Sequence, residues 1–276
     1  MSDALANICA VLTRPQDKNG ALAQRLQNEG MRVIQAPALL ITPVLDVLAP
    51  GHTPDCYDLV MFVSSNAVRC YLRAWRRLYT KATWPSSTLA AAVGGATACA
   101  LQAMGDIPAH AILYPDDESS SQDSESLWAL LEGRASSMKR ALIVRGETGR
   151  DWLGERLEQA GVAVDRLAVY RRGPSVWHPD QSSALRECFE AGCTGIFLLT
   201  SSEGVEAVAD NMRRLALWHE WERSHFVAIH QRIAARLQSV LAASGKVEPP
   251  RVKICQPGEE SVFRAMLQTA VCTASS

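Results

Sequence analysis

The stretch ALIVRGETGRDWLGERLEQAGVAVDRLAVYRR, residues Ala141–Arg172, decides the fold, because it reads as strand, glycine-rich turn, amphipathic helix and second strand. The chain has already said this once, in Ile8–Leu40. A slide without gaps that sets Leu12 over Ile143 also sets Arg14 over Arg145, Leu22 over Leu153, Arg25 over Arg156, Leu26 over Leu157, Gly30 over Gly161 and Val33 over Val164. The same slide sets Leu39 over Tyr170. Agreement at apolar, turn and arginine positions together marks an internal duplication.

Working outward, the first copy runs from a buried strand, Ile8–Leu12, through the turn Thr13–Gly20 into a helix that carries Leu22 and Leu26 on its apolar face. Gly30 fits the helix stop, where a left-handed residue is wanted. A second strand starts at Met31–Ile34. Pro37 and Pro43 cannot donate to a sheet ladder, so Ala36–Val44 is expected to be an edge strand or a connector. Leu59–Val63 is an unbroken apolar strand ending in Ser64-Ser65-Asn66, followed by a helix to about Tyr79 that bears Arg69, Arg73, Arg76 and Arg77. Next come strand Leu89–Val93, the turn Gly94-Gly95-Ala96-Thr97, a helix through Leu101 and Met104, and strand Ala111–Leu113. PDDESSSQDSES is low in complexity and is expected to be a mobile loop ending in the N-cap of a helix over Leu127–Leu131.

After the opening stretch, Arg171-Arg172-Gly173-Pro174 is expected to act as punctuation, and a short helix near Ser182–Ala191 precedes strand Gly195–Leu199. Thr200-Ser201-Ser202-Glu203-Gly204-Val205 repeats the turn at Ser64, and Phe226–Ile229 with its following helix repeats AAVGGATACAL. Val252–Cys255 is the last strand before a final helix, and the tail after Gln268 is expected to fray. Each half is thus five short apolar strands alternating with helices, which requires right-handed crossovers and a parallel sheet covered on both faces. The fold class is two doubly wound α/β domains. Their pairing stays open at this point: a tandem arrangement would cut near Lys139, while an interleaved one would unite the first copy with Ser175–Ser276.

A chain of 276 residues is too long for one ordinary core and fits two. A formal charge of -1 speaks against a nucleic-acid binder, which would carry a basic stripe. No apolar run approaches the roughly 20 residues that cross a bilayer, and no membrane association is expected. The opening MSDALANICAVLTRP has neither the charged n-region nor the cleavage site of a signal peptide, so a cytoplasmic location is expected. The eight cysteines, Cys9, Cys56, Cys70, Cys99, Cys188, Cys193, Cys255 and Cys272, include no C-x-x-C pair and no zinc-finger spacing with histidine. Most are expected to be small core hydrophobes.

In open parallel sheets ligands bind outside the carboxyl ends of the strands. The turns found there share a chemistry. Ser64, Ser65, Thr97, Ser201 and Ser202 are small hydroxyl residues at helix starts, where free N–H groups and the positive end of the helix dipole face outward. Each could be a simple N-cap, but together they make a receptor suited to many carboxylates. Arg14, Arg145 and Arg150 stand at strand ends or turns, where a guanidinium can take a carboxylate through two hydrogen bonds. Arg150 could equally pair with Glu147 or Asp151. Tyr170 stands where the other copy has Leu39. There is no G-x-G-x-x-G, P-loop, G-x-S-x-G or H-E-x-x-H, and His230 reads as a turn or core histidine. No redox cofactor, nucleotide or metal site is expected.

VLTRP near the start, FVSSNAV, AVGGATACAL, YP followed by SE and L, LIVRGETGRDWLGERLEQAG, VYRR and TSSEGV, in this order and spacing, resemble the uroporphyrinogen-III synthase family over nearly the whole chain. The resemblance implies the interleaved arrangement of two flavodoxin-like halves. One domain would comprise 1–38 and 175–276 and the other 45–167, with linkers 39–44 and 168–174 and an active-site cleft between the domains. It implies cyclisation of hydroxymethylbilane, a linear tetrapyrrole, with loss of water and inversion of the last pyrrole ring, through a spirocyclic intermediate and without a cofactor. It implies Tyr170 as the general acid that helps the hydroxyl leave. The substrate bears an acetate and a propionate on each ring. Substrate contacts are expected from Ser64, Ser65, Asn66, Gly94, Thr97 and Ala98 in the first pair of turns. Others are expected from Thr200, Ser201 and Ser202, from Arg14, Arg145 and Gly146, and from Arg232. Where some members repeat the glycine and threonine, this chain has His230 and Ile233, and Arg232 is the substitute contact. A monomer is expected. The rival readings are a non-catalytic two-domain binder of an anionic small molecule, resembling periplasmic binding proteins, and a nucleotide-dependent enzyme with a degenerate phosphate loop.

Overall fold

The computed structural model describes residues 5–15, 18–44, 48–115, 124–245 and 248–275. The charged loop expected after Pro115 falls at 116–123, outside the described residues. In chain order the elements are β1 (Ile8–Leu12), α1 (Gly20–Asn28), β2 (Arg32–Gln35), β3 (Leu39–Pro43), β4 (Leu59–Phe62), α2 (Ser65–Leu78), β5 (Leu89–Ala92), α3 (Gly95–Met104), β6 (Ile112–Leu113) and α4 (Ser124–Ala135). There follow β7 (Arg140–Gly146), α5 (Trp152–Gln159), β8 (Ala163–Pro174), α6 (Pro179–Glu190), β9 (Thr194–Leu199), α7 (Ser202–Arg214), α8 (Trp218–Arg223), β10 (His225–Ala228), α9 (Gln231–Ala242), β11 (Arg251–Ile254) and α10 (Glu259–Ala274).

The strands form two sheets, in the orders β11-β10-β9-β1-β2 and β3-β8-β7-β4-β5-β6. The first takes two strands from the start of the chain and three from its end, so the halves are interleaved and a tandem cut near Lys139 is excluded. Two compact units result, residues 1–40 with 173–276, and residues 41–172. The pairings β1 with β2 and β9, and β4 with β5 and β7, are all parallel.

The unbroken apolar runs are explained by burial on both faces. Along β9, Phe197 and Leu199 enter one cluster with Val208, Trp221 and Leu237. Ile196 and Leu198 enter another with Leu22, Leu26 and Met266. In the second unit Val60 and Phe62 pack with Val68, Tyr71 and Leu101. Leu59 and Met61 point the other way, to Leu131, Leu153 and Leu157. Alternation of side chains along a strand sends successive residues to opposite faces, so a strand sandwiched between helices must be apolar throughout.

The duplication is visible in the helix stops. Gly30 N donates to Gln27 O and Met31 N to Leu26 O after α1, as Gly161 N does to Glu158 O and Val162 N to Leu157 O after α5.

Three sequence expectations need correction. Arg171–Pro174 does not end its strand, because β8 runs through Pro174 beside β3. Val44 N donates to Val169 O at 3.0 Å and Ser175 N to Ala38 O at 2.9 Å, which sets the two connectors in opposite directions. Pro43, without an N–H, closes an edge strand, where a proline is tolerated. The tail after Gln268 is not frayed: α10 continues to Ala274, since Ala265, Met266 and Ala270 pack against Leu5 and Ile8. Of the cysteines, Cys9, Cys188 and Cys193 are buried, Cys56, Cys70 and Cys255 are half-buried, and Cys99 and Cys272 are exposed. Core packing therefore explains three of them.

Candidate active site

In the second unit the ends of β4 and β7 meet the stretch of β8 at Tyr170 around one pair of hydroxyls. Ser64 caps α2: its Oγ accepts from Ala67 N at 3.2 Å. The same Oγ lies 3.1 Å from Tyr170 Oη. Tyr170 reaches this position because β7 and β8 slip in register between Arg145 and Gly146, which pair with Ala168 and Tyr170 respectively. Such an irregularity re-aims the side chain at the end of a strand. The phenol ring then lies against Gly146, where an added Cβ would stand 2.8 Å from both Cε2 and Cζ of Tyr170. Only a residue without a side chain admits the ring. The rest of Tyr170 is half-buried against the core that holds Val68 and Leu101.

Beside this pair, Ser65 Oγ donates to Ala96 O at 3.0 Å and ties the start of α2 to the first turn of α3. Gly94 begins α3 with no side-chain cap, so within that first turn only Thr97 N and Ala98 N are engaged among the described residues, through the backbone. Thr97 N donates to Gly94 O at 2.9 Å, Ala98 N donates to the same carbonyl at 3.1 Å, and Thr97 is buried. Asn66 Oδ1 accepts from Arg69 Nη2 at 2.6 Å.

Arg145 is occupied within its own turn. It donates through Nη1 to Asp151 Oδ1 at 3.0 Å and through Nη2 to Gly149 O at 2.6 Å, and Asp151 Oδ2 also accepts from Arg166 Nε at 2.6 Å. Arg150 reaches Glu125 at 3.2 Å, neither Glu147 nor Asp151.

In the first unit, Ser201 repeats the role of Ser64 and accepts from Gly204 N at 2.9 Å. Thr200 and Ser202 flank it, both half-buried. Arg14 donates through Nε to Asn19 Oδ1 at 3.4 Å, while its buried Nη2 has no partner among the described residues. Burial lowers the pKa of Arg14, and the charge of Glu259 opposes that. His230, expected to be a turn or core residue, is the N-cap of α9: its Nδ1 accepts from Arg232 N at 3.0 Å, and Arg232 is exposed. Around this helix start and the end of β11 lies a hollow of about 850 Å³, lined in part by His230, Lys253, Gln256, Ser261 and Arg264. Lys253 and Arg264, which border this hollow, were not singled out by the sequence. Their only signal was basic charge near a strand end, and that is common on any surface.

Two largely parallel sheets covered by helices, with serine-capped helix starts at the ends of β4 and β9, define a two-unit α/β protein. Among the described residues no group of three or more His, Cys, Asp or Glu could hold a metal ion, and no helix is long and apolar enough to cross a membrane.

The family model described as uroporphyrinogen-III synthase HemD matches residues 20–253, and the chain belongs to that family. Uroporphyrinogen-III synthase of Proteus mirabilis is 29% identical over 171 residues, covering 59% of this chain and 79% of the relative. That of Escherichia coli K12 is 26% identical over 265 residues, covering 94% and 99%. The crystal structure of uroporphyrinogen-III synthetase from Helicobacter pylori 26695 aligns over 96% of this chain and 99% of its own with a TM-score of 0.54 at 17% identity, a likeness of fold.

Proposed function

We infer that this protein is a uroporphyrinogen-III synthase, a cyclising lyase of tetrapyrrole biosynthesis that converts hydroxymethylbilane to uroporphyrinogen III. Family membership across residues 20–253 favours the catalytic reading over a passive binder of anions. The reaction breaks the terminal C–O bond with loss of water, and the substituted carbon of the last ring attacks the activated methylene to give the spirocyclic intermediate. Closure without inversion needs no enzyme, so the protein's task is to hold the conformer in which the correct carbon is within reach. Orientation of this kind is worth effective molarities up to about 10⁵–10⁸ M.

The residue assignment is carried by the 3.1 Å contact between Ser64 Oγ and Tyr170 Oη. Tyr170 gives its proton to the departing hydroxyl, which leaves as water, and the Ser64 hydroxyl turns to donate to the phenolate that remains. Ser64 can do so because its lone pair is already engaged with Ala67 N and its own hydrogen is free to rotate. The uncapped first turn of α3 at Gly94, Thr97 and Ala98, with Ser65 and Asn66 beside it, receives substrate carboxylates. Thr200, Ser201, Ser202, Arg14 and Arg232 receive others. Gly146 makes room for the phenol, and Arg145 braces the turn that follows it. The protein acts on a small molecule as a cytoplasmic monomer.

Incubation with enzymatically generated hydroxymethylbilane, oxidation, and chromatographic resolution of the porphyrin isomers tests the reading. Type III product is expected; type I product alone would refute it.

A further inference from the structure

The turn from α6 into β9 places two cysteines face to face. Gly192 N donates to Phe189 O at 2.9 Å and Cys193 N to Cys188 O at 3.0 Å, with Gly192 at φ 77°. This paired helix stop folds the residue after the glycine back over the last turn of the helix, so the side chains of Cys188 and Cys193 meet. Both pack in one cluster with Cys9, and none of the three is more than 6% exposed. Cys9 is in turn the lateral neighbour of Arg32 across the β1–β2 pair.

The environment of Cys188 favours its thiolate. Hydrogen bonds from the thiols of Cys9 and Cys193, and then the Arg32 guanidinium, hold it below the ordinary range of a thiol in spite of its burial. The hydrogen bond it gives to Cys188, followed by burial, pushes Cys9 up. Burial, followed by its own bond to Cys188, does the same to Cys193. Cys193 also lines a hollow of about 650 Å³ at the amino ends of β9, β10 and β11, bordered by His225 and Arg251. That is the opposite end of the sheet from the serine turns. Cys188 itself does not line the hollow and lies beside Cys193, so a thiol whose neighbours favour its thiolate, a second thiol against it and a hollow that reaches as far as that second thiol are the three parts of a reversible oxidation site.

We propose that Cys188 and Cys193 are a dithiol that reacts with small hydroperoxides entering through this hollow and closes to a disulfide. The Cys188 sulfur attacks the outer peroxide oxygen and the O–O bond breaks. Cys188 becomes a sulfenic acid, and the departing oxygen takes a proton to leave as water or an alcohol. Cys193 sulfur then attacks Cys188 sulfur, its proton passes to the sulfenic oxygen, and water leaves. Two electrons pass from the thiols to the peroxide, and an added dithiol restores both cysteines. The site is independent of the cyclisation chemistry and lies within one unit.

The test treats the reduced full-length protein with hydrogen peroxide and digests it with a glutamyl endopeptidase, which cuts after Glu190 between the two cysteines. The expected result is a pair of peptides joined through Cys188 and Cys193, lighter by two hydrogens than their sum and separated by dithiothreitol. In Cys193→Ser, Cys188 should gain one oxygen and form no bridge. In Arg32→Gln, bridging at neutral pH should slow about tenfold as the thiolate fraction falls. Oxidation of exposed Cys99 and Cys272 while Cys188 and Cys193 stay reduced would overturn the proposal, and so would a bridge that joins Cys9 instead. The wild-type map decides alone should the serine variant fail to fold.

Discussion

The two units share one order of five strands, to which the second adds β3 at an edge, yet a serine N-cap in contact with a tyrosine hydroxyl is found at the strand ends of the second and not the first among the described residues. Ser64 and Ser201 are equivalent N-caps with near-identical bonds. What differs is the neighbour. Where the second unit has Tyr170 over Gly146, the duplication places Leu39 and Pro15 in the first. A leucine has no proton to give, and a proline carries a ring where Gly146 carries no side chain at all. The scaffold was copied, and the proposed assignment of Tyr170 puts the chemistry on one side, leaving the first unit to bind.

That contrast can be broken most directly at Tyr170. Tyr170→Phe keeps the ring and removes the proton, and kcat for type III product should fall about 10²–10⁴-fold, the range for loss of a general acid. Unfolding by denaturant should be almost unchanged, and unchanged turnover would move the chemistry elsewhere. Gly146→Ala comes next: its methyl would overlap the ring at 2.8 Å, so the phenol must move, and a misplacement of that size costs about 10²-fold in turnover. Pro15→Ala, the matching change in the first unit, should leave the rate near that of the parent. If both variants behave alike, the asymmetry is not functional.

The serine pair sharpens the comparison. Ser64→Ala and Ser201→Ala each remove a cap worth about 1 kcal/mol, measured as a shift in the denaturation midpoint. Only Ser64→Ala should also lower kcat, by about tenfold for the lost bond to Tyr170.

The smallest effect is a difference in acid sensitivity. His225 in the first unit accepts from Arg251 at 3.2 Å and is therefore neutral; burial and then the charge of Arg251 lower its pKa. Its contribution to stability is present above the unfolded value of about 6.5 and is lost as pH falls through the folded one. In the second unit Asp58 accepts from Arg140 N and Lys139 N, and Asp165 accepts from Tyr57 Oη and Arg140. These bonds lower both carboxyls, so their contribution persists above about pH 4 and fades only below it. Amide hydrogen exchange during acidification should show the first unit losing protection before the second.

The sequence told more about the turns than about the connections. Capping by Ser64 and Ser201 is local chemistry, written within four residues, and the matching of Phe226–Ile229 to the earlier strand needed only the repeat. The course of β8 past Gly173-Pro174 depends on bonds to residues as distant as Ala38, which no local pattern contains. The final helix was expected, but its continuation past Gln268 was missed for a similar reason: its order comes from packing against Leu5 and Ile8, far off in sequence. Short α8 was also missed; Trp221 buries itself between Phe197 and Phe226, a cluster assembled from three separate segments. At the site, Arg145 looked like a ligand for carboxylates because charge at a strand end is visible in sequence, whereas its commitment to Asp151 and Gly149 is not.

The interleaving also fixes an order of events on the ribosome. β1 pairs with β2 and β9 only, and β9 is translated after the whole of residues 41–172. The second unit, a continuous segment, can therefore close its sheet while Ile8–Leu12 still waits with its apolar faces uncovered. A strand made before the second unit is thus covered only after it, and it is at Ile8–Leu12 that protection by a chaperone would matter most.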